Sequence, residues 1–384
     1  MEKNAEFDDI RPFYDDEINP VIQELLKDNQ FRKIVDFFTP EEEQASFIEL
    51  MKTIQTKKEF QQKIVKGVVG RIRARSVKEF NSSGFENISN KEAYTYTSNH
   101  RDIVLDAAFL GVTLDEHNYK ISEIAIGDNL LLFPWIKNIV RINKSFIVKR
   151  GISGRQQLEE SIHLSKYIHF VINEKHESVW IAQREGRAKD SNDKTQESVL
   201  KMLAIGGDKK NFLENIKELN IAPVTLSYEY DPCDYLKAKE FQNKRDDSEF
   251  KKSKEDDLLN MRTGIEGYKG NVHLQFGKPI NRLINQINPD LPKNELIFLI
   301  ASSIDKEIYL NYKFYPGNYI AYDRLWGNHL FQDKYTSTDV SVFNEYLNQQ
   351  LNKIDLKNKD VAFLTQKLLE MYANPIKNYL SVKE

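Results

Sequence analysis

The sequence predicts an α/β fold: a mixed, largely parallel sheet flanked by helices, with helical additions at both ends. Three observations point there. Between residues 91 and 285, short β-branched and aromatic runs alternate with helix-like stretches, the pattern of strands joined by crossover helices. The flanking segments, 1–90 and 286–384, instead carry apolar residues three and four positions apart. The composition, 40% hydrophobic and 29% charged over 384 residues, is that of a folded chain long enough for one large domain or two modest ones.

In the first segment, NPVIQELLKDNQFRKIVDFF reads as helix, punctuated by Pro20 and Pro40. Residues 57–80, KKEFQQKIVKGVVGRIRARSVKEF, place Phe60, Ile64, Val65, Val68 and Ile72 in a helical stripe among eight Lys or Arg and two Glu. Such a basic amphipathic helix either buries its stripe in the core or lies on an anionic membrane, and both readings stay open. In the second segment AYTYTSN, YKISEIAI, SFIVKR, YIHFVIN, VWIAQ, IAPVTLSYEY and NVHLQFG are expected strands. The charged stretch LKAKEFQNKRDDSEFKKSKEDDLLN, which interrupts them, is expected as a solvated helix or loop. From 286 onward the chain reads as helical and polar, with Pro316-Gly317-Asn318 as a turn.

Several function classes are excluded or disfavoured. A net charge of −3 carries no global signal for nucleic acid. The single cysteine, Cys233, excludes an intramolecular disulfide framework and a cysteine-clustered zinc site, and fits a reducing, cytoplasmic compartment. The start, MEKNAEFDDIRPFYDDE, is acidic and unlike a secretory signal. The longest apolar stretch, LLLFPWI from Leu130 to Ile136, is far short of the roughly 20 residues a membrane-spanning helix needs, so work on lipids is expected from the membrane surface. The histidines show no metal-ligand spacing, and no metal is expected.

His100 draws attention through its setting. It lies between AYTYTSN and IVLDAAFL, at an expected strand-to-helix turn where α/β folds bind ligands. Asp102 and Asp106 follow, and a carboxylate bonded to one imidazole nitrogen fixes the tautomer and raises basicity at the other. Asp106 is the preferred partner and Asp102 the alternative. A helical offset of six residues turns about 240°, so Asp106 faces His100 only if the helix begins late. The triplet His100-Arg101-Asp102 also spells the protein-kinase catalytic loop, but Ala107 stands where that loop needs a metal-binding Asn. Cys233 sits among Asp231 and Asp234, which disfavour a thiolate nucleophile.

Four blocks in order carry a family resemblance: NHRDIVLD, KSFIVKR, REGRAKD and IAPVTLSYEY, with AIGDNLLLFPWIKNIVRI as an apolar lead-in to the second. Over residues 90–285 the sequence resembles the glycerolipid acyltransferase superfamily, the glycerol-3-phosphate and 1-acylglycerol-3-phosphate acyltransferases. Two departures stand out: five residues, where the family has four, separate His100 from Asp106, and the Thr of the family's Glu-Gly-Thr-Arg block is missing. The resemblance implies that His100 takes the proton of an acceptor hydroxyl as it attacks an acyl thioester of coenzyme A or acyl carrier protein. No other cofactor is implied.

Lys149, Arg150 and Arg187 are then implied for the acceptor's phosphate, Glu185 for orienting one of these cations or the acceptor, Gly186 for close backbone approach, and Pro223 for the apolar wall beside the acyl chain. The expected acceptor is glycerol-3-phosphate or 1-acylglycerol-3-phosphate at the inner face of the cell membrane. Two alternatives remain: transfer to another lipid hydroxyl, such as that of an acylated amino acid lipid, and a non-catalytic membrane-surface lipid-binding protein.

Overall fold

The computed structural model describes residues 4–209, 211–327 and 329–383. Seven strands form one sheet: β1 (Glu79–Ser83), β2 (Thr95–Ser98), β3 (Glu123–Gly127), β4 (Ser145–Val148), β5 (Val179–Ala182), β6 (Ile221–Tyr228) and β7 (Asn271–Phe276). Their spatial order is β1-β7-β6-β2-β5-β3-β4. Every neighbouring pair is parallel except β6 with β7, so the sheet is mixed and largely parallel, as the sequence predicts. β2 and β6 lie inside the sheet and are buried along their whole length.

Five helical segments precede or enter the sheet: α1 (Asp15–Leu25), α2 (Asn29–Phe38), α3 (Glu41–Thr53), α4 (Lys57–Phe60) and α5 (Lys66–Ser76), the last two joined by a π-helical turn at 61–65. Between the strands run α6 (Leu105–Glu116), α7 (Pro134–Ile142), α8 (Gly154–Asn173), α9 (Glu197–Ile205), α10 (Phe212–Glu218), α11 (Asp234–Asp246), α12 (Lys254–Glu266) and, after β7, α13 (Asn281–Ile284). The chain closes with α14 (Lys293–Leu310), α15 (Pro316–Trp326), α16 (Ser337–Asn352) and α17 (Val361–Val382).

Four expectations give way to tertiary structure. YIHFVIN is the end of α8: Leu164, Tyr167, Ile168, Val171 and Ile172 are all buried at helical spacing, and that period outweighs the β-branched content of the run. The sheet reaches back to Glu79, because β1 pairs with β7. Pro316 opens α15 at its first turn, where a missing N–H costs nothing. The charged stretch at 236–260 forms α11 and most of α12, and its inner face lines a cavity.

The apolar stripe of 57–80 turns inward. Phe60 and Ile64 join the buried cluster of Ile18, Ile22, Phe31 and Met51, while Val65, Val68 and Ile72 line the cavity. Its cations pair with acids of neighbouring elements: Lys57 with Asp15 at 2.9 Å, Lys66 with Asp115 at 2.8 Å and Arg73 with Glu116 at 3.0 Å. The core-packing reading holds, and the stripe is not a free membrane face. No helix among the described residues is long and apolar enough to cross a membrane.

Candidate active site

β2 stops at Ser98 and α6 begins only at Leu105, leaving loop 99–104 at the end of a central strand. That late start puts Asp106 in the first turn of α6, with its carboxylate over the loop. Asp106 Oδ2 accepts the backbone N–H of Arg101 at 2.6 Å and of Asp102 at 3.0 Å, and Oδ1 accepts the Tyr228 hydroxyl at 2.9 Å. His100 Nδ1 lies 2.8 Å from Oδ2. An oxygen already taking two N–H donors is a carboxylate oxygen, so Nδ1 is the donor and Nε2 carries the lone pair. The ring meets Trp180 edge to face at 5.8 Å, and the side chain is 13% exposed.

Asp102 does not support the imidazole. Its Oδ1 accepts the N–H groups of Val104 at 2.8 Å and Leu105 at 2.7 Å, closing the loop onto the start of α6. Burial, with Asp106 nearby, raises its carboxyl above the usual range, opposed by those N–H groups and by Arg187. The one-residue lengthening between His100 and Asp106 is absorbed by this turn.

The loop is held from beneath by further buried polar contacts. Arg101 forms a buried ion pair with Asp193 at 2.6 Å, and Asp193 also accepts the Tyr312 hydroxyl at 2.6 Å. Asn99 bridges to β6, accepting from the Leu226 N–H at 2.8 Å and donating to its carbonyl at 2.9 Å. Lys237 donates to the Arg101 carbonyl at 3.0 Å and pairs with Asp231. Asp193 lies in the loop before α9, Tyr312 just past α14, and Tyr228 at the end of β6 within the fourth block, and no local pattern in the sequence joins them to this loop.

His100 lines a cavity of about 1210 Å³. One side is apolar, built by Phe31, Phe60, Val68 and Ile72 of the N-terminal helices with Ile126 and Trp135; the other carries Lys149, Arg150, Arg184, Glu185, Arg187 and Lys189. The structure therefore brings the second and third sequence blocks to the same space as His100. Their charges are partly neutralised. Lys149 pairs with Asp9 and with Glu160, both at 2.9 Å, and Arg150 with Glu185 at 2.7 Å. Gly186 adopts a left-handed φ of 69°, which a side chain would strain.

Arg187 is buried and donates through Nη2 to Asn260 Oδ1 at 3.0 Å, while its Nη1 has no hydrogen-bond partner among the described residues. The same holds for Nε of Arg184, which sequence reasoning passed over. Both arginines line the cavity, and a guanidinium there is suited to an anion. Pro223 does not line the cavity. It sits buried in β6 opposite Thr97 of β2, and its carbonyl accepts the Gly277 N–H at 2.8 Å, so it belongs to the sheet rather than to the acyl wall. No group of three or more His, Cys, Asp or Glu able to hold a metal occurs among the described residues.

Residues 79–226, which contain all of these blocks up to Leu226, match the family model Acyltransferase. Over that stretch, which holds His100 and Asp106, the chain is similar to the acyltransferases, and this match supports an acyltransferase activity. Among solved structures, the chain is similar to the 1-acyl-sn-glycerophosphate acyltransferase PlsC of Thermotoga maritima, at 12% identity and a TM-score of 0.33, over 74% of this chain and 95% of that one. That likeness is too slight to carry an argument about substrate. No curated protein matches the sequence.

Proposed function

We propose that the protein transfers a fatty acyl group from a coenzyme A or acyl carrier protein thioester to a hydroxyl of glycerol-3-phosphate or 1-acylglycerol-3-phosphate. The observation that carries this reading is the 2.8 Å bond from His100 Nδ1 to Asp106 at a cavity with an apolar side and a cationic side. His100 Nε2 takes the hydroxyl proton as the oxygen attacks the thioester carbonyl carbon. The tetrahedral intermediate collapses, the C–S bond breaks, and the departing thiolate receives the proton from the imidazolium. Asp106 stabilises that imidazolium and keeps the ring in the productive tautomer. Arg184 and Arg187, which line the cavity, receive the acceptor's phosphate through their guanidinium groups. The apolar side receives the acyl chain.

Purified protein is expected to acylate one or both phosphorylated acceptors. His100→Ala should lower kcat by about 10² to 10⁴. Arg184→Ala should raise KM for the acceptor about tenfold or more, the worth of one charge-assisted contact. Full activity in His100→Ala would refute the mechanism. An acceptor without phosphate turned over equally well by both proteins would redirect the reading to another lipid hydroxyl.

Peripheral contact with the inner face of the cell membrane is supported by exposed apolar residues near the cavity. Phe37 of α2 is 50% exposed and Leu259 of α12 46% exposed, and the Arg262 guanidinium stands 5.7 Å from the Phe37 ring, bringing the two helices to one surface. Phe37→Ser with Leu259→Ser should reduce co-sedimentation with anionic liposomes, and unchanged sedimentation would exclude this face.

A further inference from the structure

The interrupting segment that forms α11 and α12 is fastened to the catalytic blocks at three points. Asn260 accepts from Arg187, Glu240 pairs with Lys189, and Gly264 packs against the Asp102 carboxylate so closely that an added Cβ would stand 1.9 Å from Oδ2. It is a wall of the site. On that wall three ammonium groups share one carboxylate. Lys189 and Lys244 reach Glu240 Oε1, the latter at 2.9 Å, and Lys252 reaches Oε2 at 3.1 Å. Asp257 stands 3.7 Å from Lys252 alone, so cationic charge is left in surplus.

Lys189 and Lys252 line the cavity, whereas Lys244 is 53% exposed and does not. Burial, with Lys252 and Lys244 beside it, brings the Lys189 ammonium down to about 8 despite Glu240; Glu240, against its own burial, is drawn down to about 2 by its lysines. The Glu240 direction is that of a carboxylate outnumbered by the lysines around it.

We propose that Lys189 and Lys252 form a second anion subsite, which takes the phosphate at the head of the phosphopantetheine arm of the acyl donor. This rests on the thioester transfer proposed above. The reaction brings two substrates into one cavity. If Arg184 and Arg187 hold the acceptor's phosphate, the lysine pair is a separate cationic centre, and a thioester donor supplies a separate phosphate. Coenzyme A and holo carrier protein both bear a phosphate ester at that end of the arm, so the subsite chemistry is the same for either. A phosphate there completes the charge of the cluster through charge-assisted hydrogen bonds.

Calorimetric titration of the full chain with 4′-phosphopantetheine and with pantetheine tests this without turnover. Wild type should bind the phosphorylated arm about tenfold or more tightly. In Lys189→Ala/Lys252→Ala the difference should shrink to about twofold or less, with glycerol-3-phosphate binding unchanged and the Lys→Arg pair restoring discrimination. Circular dichroism melts confirm that the variants fold, and Lys252→Ala alone, which leaves Glu240 two lysines, should show the same direction. KM measured with acyl-coenzyme A and with acyl carrier protein separates the two donors, and both should rise. No discrimination in wild type, discrimination surviving in the folded double variant, or loss of glycerol-3-phosphate binding instead would overturn the subsite. Acyl transfer with discrimination intact in the double variant refutes the subsite and leaves the transfer reading standing. Discrimination in the wild type without any transfer refutes only the latter.

Discussion

Asp106 shows how a single carboxylate can be fully committed. Its four donors come from two backbone N–H groups, Tyr228 and His100, so its position is set before any substrate arrives. Tyr228 stands on β6 and donates to Asp106, which makes it a positioning residue in the proposed mechanism. Tyr228→Phe should lower kcat about tenfold while leaving acceptor and donor KM unchanged, because one hydrogen bond to a charged group is lost from the transition state. Equal loss in kcat and thermal stability, or a change confined to KM, would mean that the hydroxyl serves packing or binding instead. Nothing in the local sequence joins Tyr228 to Asp106, since 122 positions separate them.

At the scale of elements, α12 is decided by one glycine. Gly264 lets the helix approach the Asp102 carboxylate, which in turn ties down the loop ahead of α6. Gly264→Ala removes a helix-weakening residue and by propensity alone would stabilise α12 by about 1 kcal/mol. The steric conflict should win: a lowered melting temperature and at least about tenfold lower kcat are expected, measured side by side, and a stabilised, fully active variant would contradict the contact. The charge run that precedes Gly264 reads as solvated because its exposed residues dominate its composition. Its cavity-lining residues, Phe241, Lys252 and Asp257, are too few to shift a pattern-based expectation.

Across the whole molecule, the N-terminal helices and the sheet domain build the cavity jointly. Phe31, Phe60 and Val68 come from the former, His100, Ile126 and Arg187 from the latter. If the apolar side holds the acyl chain, narrowing it should shorten the preferred donor. Val68→Trp is expected to lower kcat/KM for long-chain thioesters relative to short ones, by about fourfold for each methylene excluded. A uniform change across chain lengths would place the chain elsewhere. The same arrangement explains the inward stripe of 57–80: it covers the cavity, and its cations remain at the surface on acidic partners.

By itself the sequence determined the α/β class, six of the seven strands, His100, and the order of blocks around it, because each is encoded in contiguous residues. Strand alternation, helical period and motif spacing are local quantities, readable wherever neighbours along the chain are neighbours in the fold. Only tertiary structure decided that Asp106 rather than Asp102 serves the imidazole, since the choice depends on where α6 begins and on donors from β6. It also decided that Pro223 belongs to the sheet, that Arg184 joins Arg187 at the cavity, and that the charged segment is a wall. Each of those facts depends on contacts between distant parts of the chain, and distance in space is what spacing along a sequence does not carry.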